Sequence, residues 1–162
     1  MVREAAPLPR LTVAFALVKG DRPELIARAL TEVGIDRIVP MHTERSVVRW
    51  DRDRGAAGMA RLRRVVRGAG MQSRRLWLPD VADVTELRRL AAVGNRVALA
   101  VPGGPPPDLG RPTILIGPEG GWTEGELVQL PGRAGLGPYV LRTETAAIVA
   151  GALLVAARSS KP

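Results

Sequence analysis

The sequence predicts an α/β domain built on a parallel sheet covered by helices on both faces. Three observations predict it. Short apolar runs bounded by turn residues alternate with helical patterns along the chain, the arrangement that parallel sheets require. The run Ile114–Ile116 stops at Gly117-Pro-Glu-Gly-Gly121, three glycines and a proline in five residues, and a helix start follows. The 162 residues, 46% hydrophobic, suffice for one well-packed domain and fall short of two ordinary ones.

The elements follow in order. Leu11–Val18 reads as the first strand. Arg22–Val33 reads as a helix, with Pro23 tolerated in its first turn and Gly34 ending it. Arg37–Met41 is the second strand. Ala56–Met71 is a helix whose apolar side is Leu62, Val65, Val66 and Ala69. Trp77–Leu78 reads as an edge, Val84–Ala92 as a helix stopped by Gly94, and Arg96–Val101 as a strand. The proline-stiffened segment Pro102–Gly110 is a lid or a plain linker. Thr113–Ile116 is a strand, and Thr123 with Glu126 forms a capping box for the helix Glu124–Leu130. Val140–Leu141 reads as a last short strand before an apolar helix, Ala146–Ala157.

Two loops carry the chemistry. A strand, a glycine loop and a helix N-terminus expose backbone groups at the carboxyl end of the sheet, where open α/β sheets bind ligands. An ordinary strand-to-helix turn is the other reading of the glycines. Leu136-Gly-Pro-Tyr-Val-Leu-Arg-Thr-Glu-Thr-Ala146 repeats the arrangement, with Arg142, Thr143, Glu144 and Thr145 crowded before the helix, where one cap would suffice.

GPEGG and LRTETA, about twenty residues apart in this order, resemble the RsmE-type methyltransferases of the SPOUT superfamily. The resemblance extends to Lys19-Gly20-Asp21, Thr31-Glu-Val-Gly-Ile-Asp-Arg-Ile-Val-Pro40, Thr43-Glu-Arg-Ser46, and Gln72-Ser73 with Arg75 and Pro79. It spans about residues 12–157. Gly68 stands where the family has Glu, and Tyr139 where it has Arg or Lys. The family also carries an N-terminal PUA-like β-barrel. Here residues 1–10 read as an extension and 11–162 as the catalytic domain, which leaves the barrel no room.

The resemblance implies a deep trefoil knot, in which the C-terminal segment threads through a preceding loop, an arrangement that general topology rules alone disfavour. It implies S-adenosylmethionine bent in that knot, held mainly by backbone. The residues so implied are Leu115, Ile116, Gly117, Pro118, Glu119, Gly120, Gly121, Leu136, Gly137, Val140, Leu141, Arg142, Thr143, Thr145 and Ala146. The implied reaction is methylation of uridine N3 in 16S ribosomal RNA of the small subunit. Arg142 is expected to stabilise the uracil anion, and Glu144 to accept a proton or fix Arg142. A SPOUT enzyme for another RNA or base atom, or a catalytically idle RNA-binding assembly factor, is the alternative. The apolar terminal helix implies a homodimer.

Composition bounds the partners. A net charge of +8 points to a polyanion, and Arg45, Arg63, Arg64, Arg67, Arg74 and Arg75 are the expected RNA contacts. A merely solvated basic face is the other reading. With no cysteine and one histidine, a metal site is not expected; His42 reads as a surface or boundary residue. No apolar run long enough for a membrane span occurs, so a cytoplasmic location is expected.

Overall fold

The computed structural model describes residues 5–160; residues 1–4 of the expected extension lie outside the described part. The strands are β1 (Thr12–Ala16), β2 (Arg37–His42), β3 (Asp80–Val81), β4 (Thr85–Glu86), β5 (Val97–Ala100), β6 (Thr113–Ile116) and β7 (Arg133–Ala134). The helices are α1 (Arg22–Val33), α2 (Arg52–Gln72), α3 (Leu87–Ala91), α4 (Glu124–Gln129) and α5 (Thr143–Ser159). All strand pairs are parallel, in the order β3-β2-β1-β6-β5-β7, with β4 also paired to β2.

Strand alternation sorts the core into two layers. Val13, Phe15, Ile38, Ala98, Ile114 and Ile116 face α1, α2 and α5, where Ile26, Leu30, Leu62, Ala147 and Leu154 are buried. Ala14, Val39, Met41, Val97, Leu99 and Leu115 face the opposite way, under Leu87, Leu90 and Leu130. The expected parallel sheet with helices on both faces is the observed fold.

Several boundaries differ from the sequence reading. Helix α2 begins at Arg52 because the Asp51 carboxylate caps the Arg54 N–H at 2.9 Å. The expected edge at Trp77–Leu78 lies instead at Asp80–Val81, where the chain reaches Arg37–Ile38. The first residues of the expected helix Val84–Ala92 are drawn into pairing with β2, which leaves a helix of one turn or so. Val140–Leu141 is loop: Val140 is 90% exposed, and Arg133–Ala134 makes the last sheet pairing, with Leu99–Ala100. The last helix starts earlier than read, at Thr143.

Pro40 sits inside β2, between the residues that pair with β3 and those that pair with β4. Ile38 C=O accepts from Ala82 on that outer side, whereas Met41 C=O accepts from Leu17 on the β1 side. The missing N–H of Pro40 therefore falls where no outer strand is paired.

After β5 and β7 two loops cross at van der Waals contact. Gly135 N–H donates to Pro105 C=O at 2.7 Å, and a Cβ at Gly104 would lie 2.8 Å from the backbone of Ala134 and Gly135. Only glycine fits this crossing.

Candidate active site

Because β5 and β6 are neighbours, the loops after them open side by side at the carboxyl edge, and the first turn of α5 closes the third side. They enclose a cavity of about 420 Å³. Its walls are Ala100, Val101 and Pro102 after β5, and Ile116, Gly117, Pro118, Glu119, Gly121 and Trp122 after β6. Leu127 of α4, Leu136, Gly137, Tyr139, Val140 and Leu141 before α5, and Thr143 and Ala146 within it complete the lining.

Hydrogen bonds fix the walls to one another. The Thr143 hydroxyl donates to Gly117 C=O at 3.0 Å, tying α5 to the glycine loop. Trp122 Nε1–H donates to Ala100 C=O at 2.9 Å, tying that loop to β5. Arg45 reaches Gly120 C=O at 2.8 Å and Trp122 C=O at 3.3 Å. Arg22 lies 3.1 Å from Glu119 Oε1 and 3.4 Å from Glu144 Oε2. Gly121 turns the loop at φ +76°, a conformation side chains disfavour. Both halves of the Thr123/Glu126 capping box form, and buried Glu126 also accepts the Glu44 N–H at 2.8 Å.

Eleven of the residues expected to bind a cofactor line this cavity: Ile116, Gly117, Pro118, Glu119, Gly121, Leu136, Gly137, Val140, Leu141, Thr143 and Ala146. Leu115 does not: it is fully buried in the core layer under Leu87, Leu90 and Leu130. Gly120 is exposed beside Arg45, and Arg142 and Thr145 point to solvent at the cavity's edge. Among the described residues Arg142 has no side-chain hydrogen bond or ion pair. Glu144, expected to hold Arg142 or take a proton, is held by Arg22 instead.

The expected RNA arginines divide. Arg45 is spent on the glycine loop. Arg63 pairs with Asp83 at 2.7 Å, while Arg64, Arg67 and Arg74 are exposed. Helix α2 runs back from the carboxyl edge toward the amino edge, so Arg67 lies roughly 20 Å along it from the cavity side. Arg75 leaves the exposed set. Its guanidinium donates to Thr31 C=O at 3.1 Å and Ile35 C=O at 2.6 Å, and pairs with Asp36 at 3.5 Å. Burial lowers its pKa, the Asp36 carboxylate opposes that shift, and Arg158 on the other side of Asp36 adds to it.

Sequence reading missed Ala100, Val101, Pro102, Trp122, Leu127 and Tyr139. Trp122, directly after the glycine loop, and Tyr139, between Gly137 and Val140, carry a local signal; Ala100, Val101 and Pro102 need the adjacency of β5 and β6. His42 is 12% exposed, its Nε2 accepting the Trp50 N–H at 3.3 Å and its Nδ1 lying 3.4 Å from Glu86. It lines a second, polar cavity of about 160 Å³.

Ribosomal RNA small subunit methyltransferase E of Mycobacterium bovis is 36% identical over 160 residues, covering 88% of this chain and 61% of that protein. The protein of the same name from Bacillus subtilis is 31% identical, covering 87% of this chain and 63% of that one. The chain thus spans about three fifths of the length of the curated relatives it matches. A crystal structure of the Neisseria gonorrhoeae ribosomal RNA small subunit methyltransferase E, bound to S-adenosyl methionine, superposes with a TM-score of 0.75 at 31% identity, over 88% of this chain and 64% of that one. A Legionella pneumophila methyltransferase in complex with the same cofactor gives 0.79 at 30% identity, over 91% and 67%. The RsmE-type resemblance seen in the two loops is therefore borne out. With the RNA methyltransferase domain model matching residues 4–155, the chain belongs to that family.

Proposed function

We propose that the chain binds S-adenosylmethionine in the 420 Å³ cavity and directs methylation of N3 of a uridine in small-subunit ribosomal RNA. The observation that carries this reading is the cavity itself: a glycine loop and a helix N-terminus, cross-tied by Thr143, at the carboxyl edge of a parallel sheet. The residues fit the cofactor. The volume suits a ligand of that size, and the walls mix apolar surface (Ile116, Leu136, Leu141, Ala146) with backbone groups of the Gly117–Gly121 loop. The relatives' names and the cofactor-bound neighbours support the same assignment.

When bound, the cofactor supplies a methyl group activated by a cationic sulfur. The chain's own part is to position the acceptor and steady the charge that develops on it. Uridine N3 must first give up its proton to solvent; the anion so formed spreads negative charge to the base oxygens, and that charge is discharged as N3 bonds to the methyl carbon while the methyl's bond to sulfur breaks. Arg142, unpaired among the described residues and flanked by the lining residues Leu141 and Thr143, is suited to hold that charge. Glu144 belongs to the frame through Arg22. Glu119 borders the cavity and orients the loop.

The acceptor lies in the cytoplasm, where ribosomal subunits of a bacterial type assemble, and no helix among the described residues is long and apolar enough to cross a membrane. A homodimer completes the reading. The outer side of α5 exposes Ala152, Leu153 and Ala156, and Tyr139 and Val140 stand 82% and 90% exposed at the cavity's open side. A second copy would cover both. The glycine crossing at Gly104 and Gly135 supports the trefoil knot as the path by which the C-terminal segment reaches its place.

The test is methyl transfer from labelled cofactor to naked 16S RNA and to assembled small subunits, with mass mapping of the product. The expected product is a single N3-methyluridine. A methyl on another atom, or none despite cofactor binding, overturns the acceptor assignment.

A further inference from the structure

Arg22 stands outside every motif that marks the cavity, yet it joins three distant stretches of chain. It opens α1, and its side chain is 27% exposed. Its Nε–H donates to Lys19 C=O at 3.1 Å, which anchors the guanidinium to the turn after β1. Its Nη1 lies 3.1 Å from Glu119 in the glycine loop and 3.4 Å from Glu144 in the first turn of α5.

The two acids belong to adjoining walls, the glycine loop and the first turn of α5. Glu119 lines the cavity, whereas Glu144 is next to Thr143, which lines it too. Without a cation between them, two carboxylates within reach of one guanidinium repel, and that repulsion acts to spread the loop from the helix. The Thr143 hydroxyl is a second tie between the same walls, at Gly117. Glu119 is 62% exposed and Glu144 14%, so the ends of the bridge differ. The Glu144 end is the buried one and the Glu119 end is the solvent-facing one.

We propose that Arg22 is a positioning residue for the cofactor site. It acts through Glu119 and Glu144 to hold the glycine loop against α5 and set the width of the cavity. The proposal rests on the reading of that cavity as the S-adenosylmethionine site. Arg22 takes no part in the chemistry. Its contribution is preorganisation, which binding free energy registers as ordering that need not be done when ligand arrives.

The test compares Arg22→Gln and Arg22→Lys with the parent chain, and repeats Arg22→Gln in a Glu119→Gln/Glu144→Gln background. Two quantities are measured: the S-adenosylmethionine dissociation constant by calorimetry, and amide hydrogen exchange across Gly117–Trp122. Arg22→Gln should weaken binding about tenfold and speed exchange in the loop, with Arg22→Lys recovering most of both. In the double-glutamine background Arg22→Gln should change neither. Unaltered exchange and affinity in Arg22→Gln overturn the proposal, as does an effect that persists without the two acids. If the parent itself binds no cofactor, the site reading fails; the exchange data still decide whether Arg22 holds the loop.

Discussion

Thr143 Oγ1 donates to the Gly117 carbonyl at 3.0 Å, and this one bond fastens the start of α5 to the end of β6 across 26 residues of sequence. Thr143 is 2% exposed, so water cannot take over the carbonyl without the helix moving. Thr143→Val keeps the shape and removes the donor. It should cost about 1–3 kcal/mol of stability and weaken S-adenosylmethionine binding several-fold. Thr143→Ser should restore both. Denaturant unfolding and calorimetry on the three proteins check this.

The two adjacent glycines of the loop should respond unequally. Gly121 lines the cavity at φ +76°, whereas a Cβ at Gly120 would meet Arg45 only at ordinary distances, 3.5 and 3.6 Å. Gly121→Ala should therefore cost about 1–2 kcal/mol in backbone strain and reduce cofactor affinity. Gly120→Ala should be close to neutral on both counts. Equal effects would show that backbone conformation is not what the loop needs from its glycines.

Asp36 should matter to stability and not to the site. Its carboxylate accepts the Leu11 N–H at 2.8 Å and sits between Arg75 and Arg158, all three side chains 12–14% exposed. Asp36→Ala leaves two largely buried guanidiniums facing each other, and loss of one partner from such a cluster costs about 3 kcal/mol or more. A drop in Tm of roughly 10 °C is expected for a chain of this size. Cofactor affinity measured well below the transition should be unchanged, because none of the three residues lines the cavity.

Arg142→Ala should leave cofactor affinity within a few-fold and remove methyl transfer. That pattern marks a group acting in the transition state. Single-turnover rates with saturating cofactor measure it, and full activity in the variant would move the charge-stabilising role elsewhere.

Much of this architecture is legible residue by residue, and the failures share a cause. The glycine loop and its capping box are local: Thr123 and Glu126 are three apart, and both bonds form. Val140 and Leu141 read as a strand because two apolar residues follow a Gly-Pro turn. Strand formation needs a partner, and the partner of β5 is Arg133–Ala134, a pair with no apolar pattern to announce it. Ala100–Pro102 belong to the site only because β5 lies beside β6, a neighbour relation no single sequence encodes. Arg75 reads as basic surface in the sequence because composition records charge and not direction. Its aliphatic stem runs inward, and its head finds two carbonyls and a carboxylate.

Pro40 has a consequence for how the molecule behaves in company. The β2 side of the sheet ends in two stubs of two residues each, with a residue between them that offers no hydrogen. A foreign strand laid along that border would find no continuous ladder to copy, since short outer strands and proline both frustrate templating. In a crowded compartment the sheet is thereby shielded from recruiting neighbours into fibres on that side. An imino acid that looks out of place in a central strand serves as protection against aggregation.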